Sequence, residues 1–296
     1  MIRLETETIA LWLAPEMGGS VVRFRYRGQD VFRDGTGART VLETSSFPLV
    51  PFAGRIADSR FNWRGKPVAL TPVFPGDPAS RHAIHGHGWL SAWAVTSADA
   101  ASAEIVLDHA ADDWPWTYRA TQRFALTDHG FTLRMSVTNQ GAEPMPAGMG
   151  PHPYFPRNDR TMLRALHRSE WQTDGAGLPL RPQAHARAID WWNGAPVESR
   201  LVDTAYGDRE GDIEIIWPDR QLYLTIRPSD ELPHTVVYVP PGADFFCVEP
   251  ISHVPNALNA PDPAALGIRT LELGETWSAA IGFEVREQQP SPVESH

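Results

Sequence analysis

The chain has 296 residues, with 26 lysines and arginines against 36 aspartates and glutamates, and so a formal net charge of −10 with histidine neutral. An acidic chain with no run of lysine or arginine lacks the positive field that a phosphate backbone requires, which excludes nucleic acid as the expected partner. The single cysteine, Cys247, rules out an intrachain disulfide and any cysteine-based zinc or iron–sulfur cluster.

The length suffices for a full hydrophobic core, and the 23 glycines and 27 prolines, spread along the chain in turn-like pairs, predict many short elements. The first seven residues place acids where a secretory leader needs a basic patch and an apolar run. No window reaches the roughly 18 apolar residues of a membrane-spanning helix, so a soluble, cytoplasmic chain is expected.

Taken in chain order, Phe24 and Tyr26 alternate with Arg23, Arg25 and Arg27 before a turn at Gly28-Gln29-Asp30 into Val31 and Phe32, the pattern of a half-buried strand. Further strands are predicted at 104–107 and 118–126. At 131–138 the alternation is clean: Phe131, Leu133, Met135 and Val137 are apolar, and the residues between them polar. It recurs at 222–227, and strands are predicted at 213–217, 235–239 and 245–248. A turn of helix is expected at 112–116 and another at 263–266, and no stretch of twelve residues carries a helical stripe. The prediction is an all-β, mostly antiparallel protein, and the lack of a fixed repeat favours a large sandwich over a propeller or solenoid. No composition shift divides the chain, so one domain is expected over 1–286, followed by a polar, frayed tail at 287–296.

Four segments break the strand pattern and gather polar groups among glycine, proline and aromatic residues: 48–58, 82–89, 148–156 and 247–256. In the second, His85 and His87 would share one face of a strand, with Gly86 and Gly88 letting the backbone come close to a ligand. Two histidines at this spacing suggest a metal centre, but no acid stands three or four residues after His87, and histidines fixing a glycine-rich turn are the alternative. No metal or cofactor is expected. His152, between Pro151 and Pro153, sits in a stiff frame that suits proton transfer, or equally a buried structural imidazole. Glu249 follows an apolar strand and precedes Pro250, where the strand should end. Desolvation there would raise its pKa toward that of a general base, unless an arginine pairs with it. Cys247 is expected to pack. Arg55 offers a fork of donors to ligand hydroxyls or to a buried carboxylate, and Asp203 is either a ligand-binding acid or a turn acid. The 11 tryptophans are many for this length, and Trp89, Trp93, Trp114 and Trp116 fall near the polar segments, where a sugar face could stack on an indole. No Walker loop, dinucleotide-binding glycine signature or Gly-x-Ser-x-Gly elbow is present.

In this order, the segments Pro51 through Phe61, Ile84-His85-Gly86, His152-Pro153-Tyr154-Phe155 and Cys247-Val248-Glu249-Pro250 resemble those of the aldose 1-epimerase (galactose mutarotase) family. The resemblance implies a large antiparallel β-supersandwich with a cofactor-free cleft that interconverts the α and β anomers of a free aldose. It implies Glu249 as the base at the anomeric hydroxyl, His152 as the acid at the ring oxygen, His85 assisting there, and Arg55 and Asp203 binding hydroxyls. Gly54 departs from the asparagine that the family often carries at that position. The acidic chain favours a neutral sugar over a hexose 6-phosphate. A lyase or glycosidase on the same fold, the latter using Glu249 with Asp203, and a non-catalytic sugar-binding protein are the alternatives. The partner is a small sugar, and the chain itself a monomer or homodimer.

Overall fold

A computed structural model describes residues 1–74, 80–174, 177–184 and 191–287. Three antiparallel sheets dominate it. At the N-terminus, four strands, Ile2–Glu5, Ile9–Ala14, Ser20–Tyr26 and Gln29–Asp30, pair in sequence order. The largest sheet has nine strands, centred on the long strand Thr276–Glu287, which pairs with Gly130–Asn139 on one side and Leu222–Pro228 on the other. The third sheet has six strands in the order Tyr154–Pro156, Phe245–Ile251, His234–Tyr238, Asp203–Arg209, His167–Thr173 and Pro179–Ala184. Helical structure among the described residues is confined to three-residue 3-10 turns. None is long and apolar enough to cross a membrane.

The period-two patterns become the sandwich faces, as in Gly130–Asn139, where Phe131, Leu133, Met135 and Val137 are buried. Phe32 ties the sheets together: its ring meets Phe24 of the first sheet at 5.2 Å, Phe283 of the second at 5.2 Å and Phe155 of the third at 5.3 Å, all edge to face. A fully buried aromatic at such a junction fixes how the layers sit against one another, and that in turn sets the walls of the site.

Three expectations are corrected. Residues 112–116 form bends without a helical turn, because Asp112 and Asp113 spend their carboxylates on backbone amides and histidines there. The turn after Tyr26 is tighter than predicted: Arg27 and Gly28, both at positive φ, make it, and Gln29–Asp30 is already the returning strand. The strand carrying Glu249 does not stop before Pro250 but runs on to Ile251. Beyond Cys247 its only ladder neighbour among the described residues is His234–Tyr238, and a strand paired on one side tolerates a residue without an N–H. In the predicted tail, Glu287 closes the last strand and pairs with Arg27, while 288–296 lies outside the described residues.

Candidate active site

Four features of the backbone converge on one cavity. In the segment from Ala53 to Asp58 the regular structure is a two-residue strand, Arg55–Ile56, paired with Ala83–Ile84, and the start of a 3-10 turn, and side chains hold the backbone on either side of that strand. The amides of Ala53, Gly54 and Asp58 donate to the imidazoles of His253, His85 and His82 at 3.0, 3.1 and 2.8 Å, and the amide of Ala57 donates to Asn256 Oδ1 at 2.9 Å. Arg55 is thereby presented from a loop with few conformational choices. Gly54 has φ +69°, and a Cβ there would come within 2.6 Å of the Pro255 side chain. Pro255 occupies the space that an asparagine side chain would need, which gives the departure at this position a steric cause.

His152 follows the short pairing of Gly150–Pro151 with Pro48–Leu49, and its own amide donates to Phe47 O at 2.9 Å. Its ring lies in a cluster of aromatics. Tyr154 packs on it at 4.8 Å and Phe47 at 4.5 Å, with Tyr154 and Phe47 themselves 6.1 Å apart, Trp89 stacks on Phe47 at 5.4 Å, and the Arg33 guanidinium sits 3.8 Å from the centre of Tyr154. His85 meets this cluster edge on, 5.2 Å from His152. Glu249, 2 % exposed, projects from the third sheet so that its Oε1 lies 3.3 Å from His152 Nε2. Arg55 Nη1 and Asp203 Oδ2, 3.3 Å apart, form a half-exposed pair in the same cavity.

The cavity measures about 320 Å³, the scale of a small-molecule site. Its two sides differ. The sheet side presents Asp203, Thr204, Tyr238 and Glu249, and the other presents Phe47, Trp89, Ile84 and the two imidazoles, with Leu42 and Phe74 at the mouth. All five predicted site residues, His85, His152, Glu249, Arg55 and Asp203, line it.

Burial dominates the electrostatics. It pushes His152 down to about 3, aided by the charge of Arg33, and it pushes His85 well below the usual histidine value, aided by His152 and Arg55. It drives Glu249 well above the usual carboxylate range; Asp203 adds to this and Arg55 opposes it. Because Nδ1 of His85 accepts from Gly54, the neutral ring carries its proton on Nε2, a fixed donor for the cavity.

The expected sharing of one face by His85 and His87 is not observed. His85 takes φ +64° and Gly86 φ +69°, so the chain leaves the strand at Ile84 and the two rings diverge. His87 turns away to Asp113 Oδ1 at 3.0 Å and stacks on His109 at 5.0 Å, while His109 meets Asp112 Oδ1 at 3.2 Å. Among the described residues, two clusters bring potential metal-ligand atoms within 4.8 Å: His152 with Cys247 and Glu249, and His87 with Asp112 and Asp113. In the first, burial holds the thiol protonated. In the second, each group already has a partner. Of the tryptophans, Trp89 lines the cavity and donates Nε1 to Ile84 O at 3.3 Å, whereas Trp93, Trp114 and Trp116 belong to the core.

Local patterns do not point to Phe47, Arg33, Thr204 or Tyr238. Phe47 sits one residue before the first polar segment, and the others sit in ordinary strand or turn contexts, so only their assembly in space marks them; Pro255 lies within the fourth segment, but nothing local ties it to Gly54.

The whole described architecture has counterparts. A family model for aldose 1-epimerase matches residues 1–284. The uncharacterized protein YphB of Escherichia coli (strain K12) is 32% identical over 283 residues, 91% of this chain and 93% of that protein. A crystal structure of an Escherichia coli K12 protein superposes with a TM-score of 0.88 at 29% identity, covering 96% of this chain and 98% of that one. A galactose mutarotase-like protein from Clostridium acetobutylicum shares the fold at 19% identity, with a TM-score of 0.85 and coverage of 96% and 94%.

Proposed function

The chain belongs to the aldose 1-epimerase family, and from that premise we propose that it interconverts the α and β anomers of a free aldose by opening and reclosing the hemiacetal ring. Glu249 takes the proton from the anomeric hydroxyl while His152 gives a proton to the ring oxygen. The bond between C1 and the ring oxygen breaks, the aldehyde turns about the C1–C2 bond, and closure from the other face returns both protons.

The observation that carries this reading is the buried contact of 3.3 Å between His152 Nε2 and Glu249 Oε1 at the floor of a sugar-sized cavity. Between them the pair can pass one proton in and one proton out without changing net charge. Burial disfavours both the carboxylate and the imidazolium, so the opening step carries each group toward the form its surroundings favour. That offsets part of the cost of making the open-chain aldehyde. The mutual attraction of the two charges at this distance keeps the reactive ion pair accessible. His85 adds an N–H donor for the ring oxygen. Arg55 and Asp203, already paired, offer donors and acceptors to the ring hydroxyls.

The test is the change in optical rotation of freshly dissolved α-D-galactose and α-D-glucose, with and without protein, repeated with Glu249→Gln. Acceleration that disappears in the variant supports the reading. A variant with wild-type turnover would remove Glu249 from the role of base.

A further inference from the structure

We propose that the preferred substrate is an aldose whose C5 substituent is apolar, a 6-deoxyhexose, and that the aromatic side of the cavity selects it. The proposal rests on the epimerase reading and deepens it. Once O1 lies at Glu249 and the ring oxygen at His152 and His85, the covalent structure of a pyranose leaves little choice about the rest. C2, bonded to C1 and remote from the ring oxygen, turns its hydroxyl toward the sheet side, where Asp203, Arg55 and Thr204 stand. C5 is bonded to the ring oxygen, so the group it carries lies beside the imidazoles.

Beside the imidazoles the cavity wall is hydrocarbon. Of the aromatic cluster, Tyr154 does not line the cavity, so inside the cavity the wall continues from His152 through Phe47 to Trp89. Phe74 follows, 6.2 Å from Trp89, and Leu42 and Ile84 complete the patch. Among Phe47, Trp89, Phe74, Leu42 and Ile84 the side-chain donor is Trp89 Nε1, which is already given to Ile84 O. A hydroxymethyl group against these side chains meets no uncommitted side-chain donor or acceptor among them, whereas a methyl group gains apolar contact. A 6-phosphate would place a dianion on the same wall, and the one guanidinium lining the cavity among the described residues, Arg55, is engaged by Asp203. Leu42 and Phe74 are 39% and 43% exposed, so this wall reaches the mouth and can be altered without disturbing the core.

The experiment measures kcat/KM for anomer exchange by proton NMR in two series, each with one arrangement of hydroxyls at C2 to C4. The first series is D-galactose, 6-deoxy-D-galactose, L-arabinose and D-galactose 6-phosphate. The second is D-glucose, 6-deoxy-D-glucose, D-xylose and D-glucose 6-phosphate. In the series that is turned over, the 6-deoxy sugar is expected to exceed its parent hexose by about tenfold, with the 6-phosphate the poorest. Phe74→Gln, and separately Leu42→Gln, should shrink the advantage by about threefold or more while the hexose is still turned over. A parent hexose or a 6-phosphate that matches or beats the 6-deoxy sugar would overturn the proposal and leave the epimerase reading standing. Failure of all eight sugars would overturn the epimerase reading itself. An advantage unchanged in both variants would overturn the assignment of this wall to carbon 6.

Discussion

His85 and His87 stand two residues apart on one turn, and each belongs to a cluster of imidazole and carboxylate, yet the clusters are built on opposite principles. On the cavity side, one carboxylate, Glu249, faces His152 in a nearly sealed place, with His85 edge on and no second acid in contact. On the far side, His87 lies against Asp113 and His109 against Asp112, and both carboxylates are partly reached by solvent and also accept backbone amides, Asp113 that of Thr71 at 2.7 Å and Asp112 that of Trp114 at 2.9 Å. The first arrangement leaves its carboxylate free for a proton; the second spends both of its acids. The difference shows that residue type does not make a reactive centre. What makes one here is a carboxylate sealed from solvent beside an imidazole, while carboxylates shared with solvent and backbone make a clamp that ties the 109–113 bends to the turn.

Several measurements would break or sharpen this contrast, the largest effect first. The buried imidazoles, His152 in the cavity and His167, His234 and His253 away from it, should resist protonation from solvent until the fold fails. His152 and His167 are pushed down to about 3 and His234 and His253 to about 4, in each case first by burial. In the unfolded chain these groups titrate near the ordinary histidine value, so below it the unfolded state binds more protons than the folded one. The stability they confer is fully present above pH 6.5 and is lost as the pH falls toward 3 or 4, by at most about 1.4 kcal/mol per histidine per pH unit. Glu249, held neutral by burial, works in the opposite sense, but it is one group against four. Denaturant melts at pH 7 and pH 5 should differ by several kcal/mol, and equal midpoints would contradict the assigned burial.

Next, Glu249→Gln should lower kcat by about 10³-fold while keeping the fold, since the amide preserves shape and removes the base. His152→Ala should cost about 10²-fold or more, again read in kcat with circular dichroism as the folding control. Arg55→Ala should raise KM by about tenfold with a smaller change in kcat, which separates hydroxyl binding from proton transfer. The smallest effect belongs to the far side. His87→Ala should cost about 1 kcal/mol in a chemical melt and change kcat by less than about threefold. A hundredfold loss of kcat there would place the clamp in the chemistry and erase the distinction drawn above.

Much of the sandwich can be read in the sequence because period-two patterning is local: Phe131 to Val137 announce a buried face with no knowledge of what packs on it. The four site segments are legible for a different reason, in that they violate that pattern, and His85, His152, Glu249 and Arg55 all come from those interruptions, whereas Asp203 stands apart as a short acid beside apolar residues. What local pattern does not contain is the partner of each group. His85 and His87 look equivalent until two successive residues at positive φ turn them apart. Pro250 reads as a strand terminator until its strand is seen, among the described residues, to be paired on one side only beyond Cys247. Phe47 is an ordinary apolar residue before Pro48, and its place against His152 depends on a pairing with Gly150–Pro151, about a hundred residues away.

The packed cluster of Tyr154, His152, Phe47 and Trp89, with Arg33 over Tyr154, joins five side chains from four separate stretches of sequence into one object. Its members are not free to drift independently. A smaller ring at any position would let the imidazole tilt away from Glu249, so tolerated changes should arrive as compensated sets, one position refilled as another is emptied. For anyone seeking to re-aim this site by laboratory evolution, the cluster is the unit of heredity: libraries that vary its members together will sample working geometries that single-site libraries pass over.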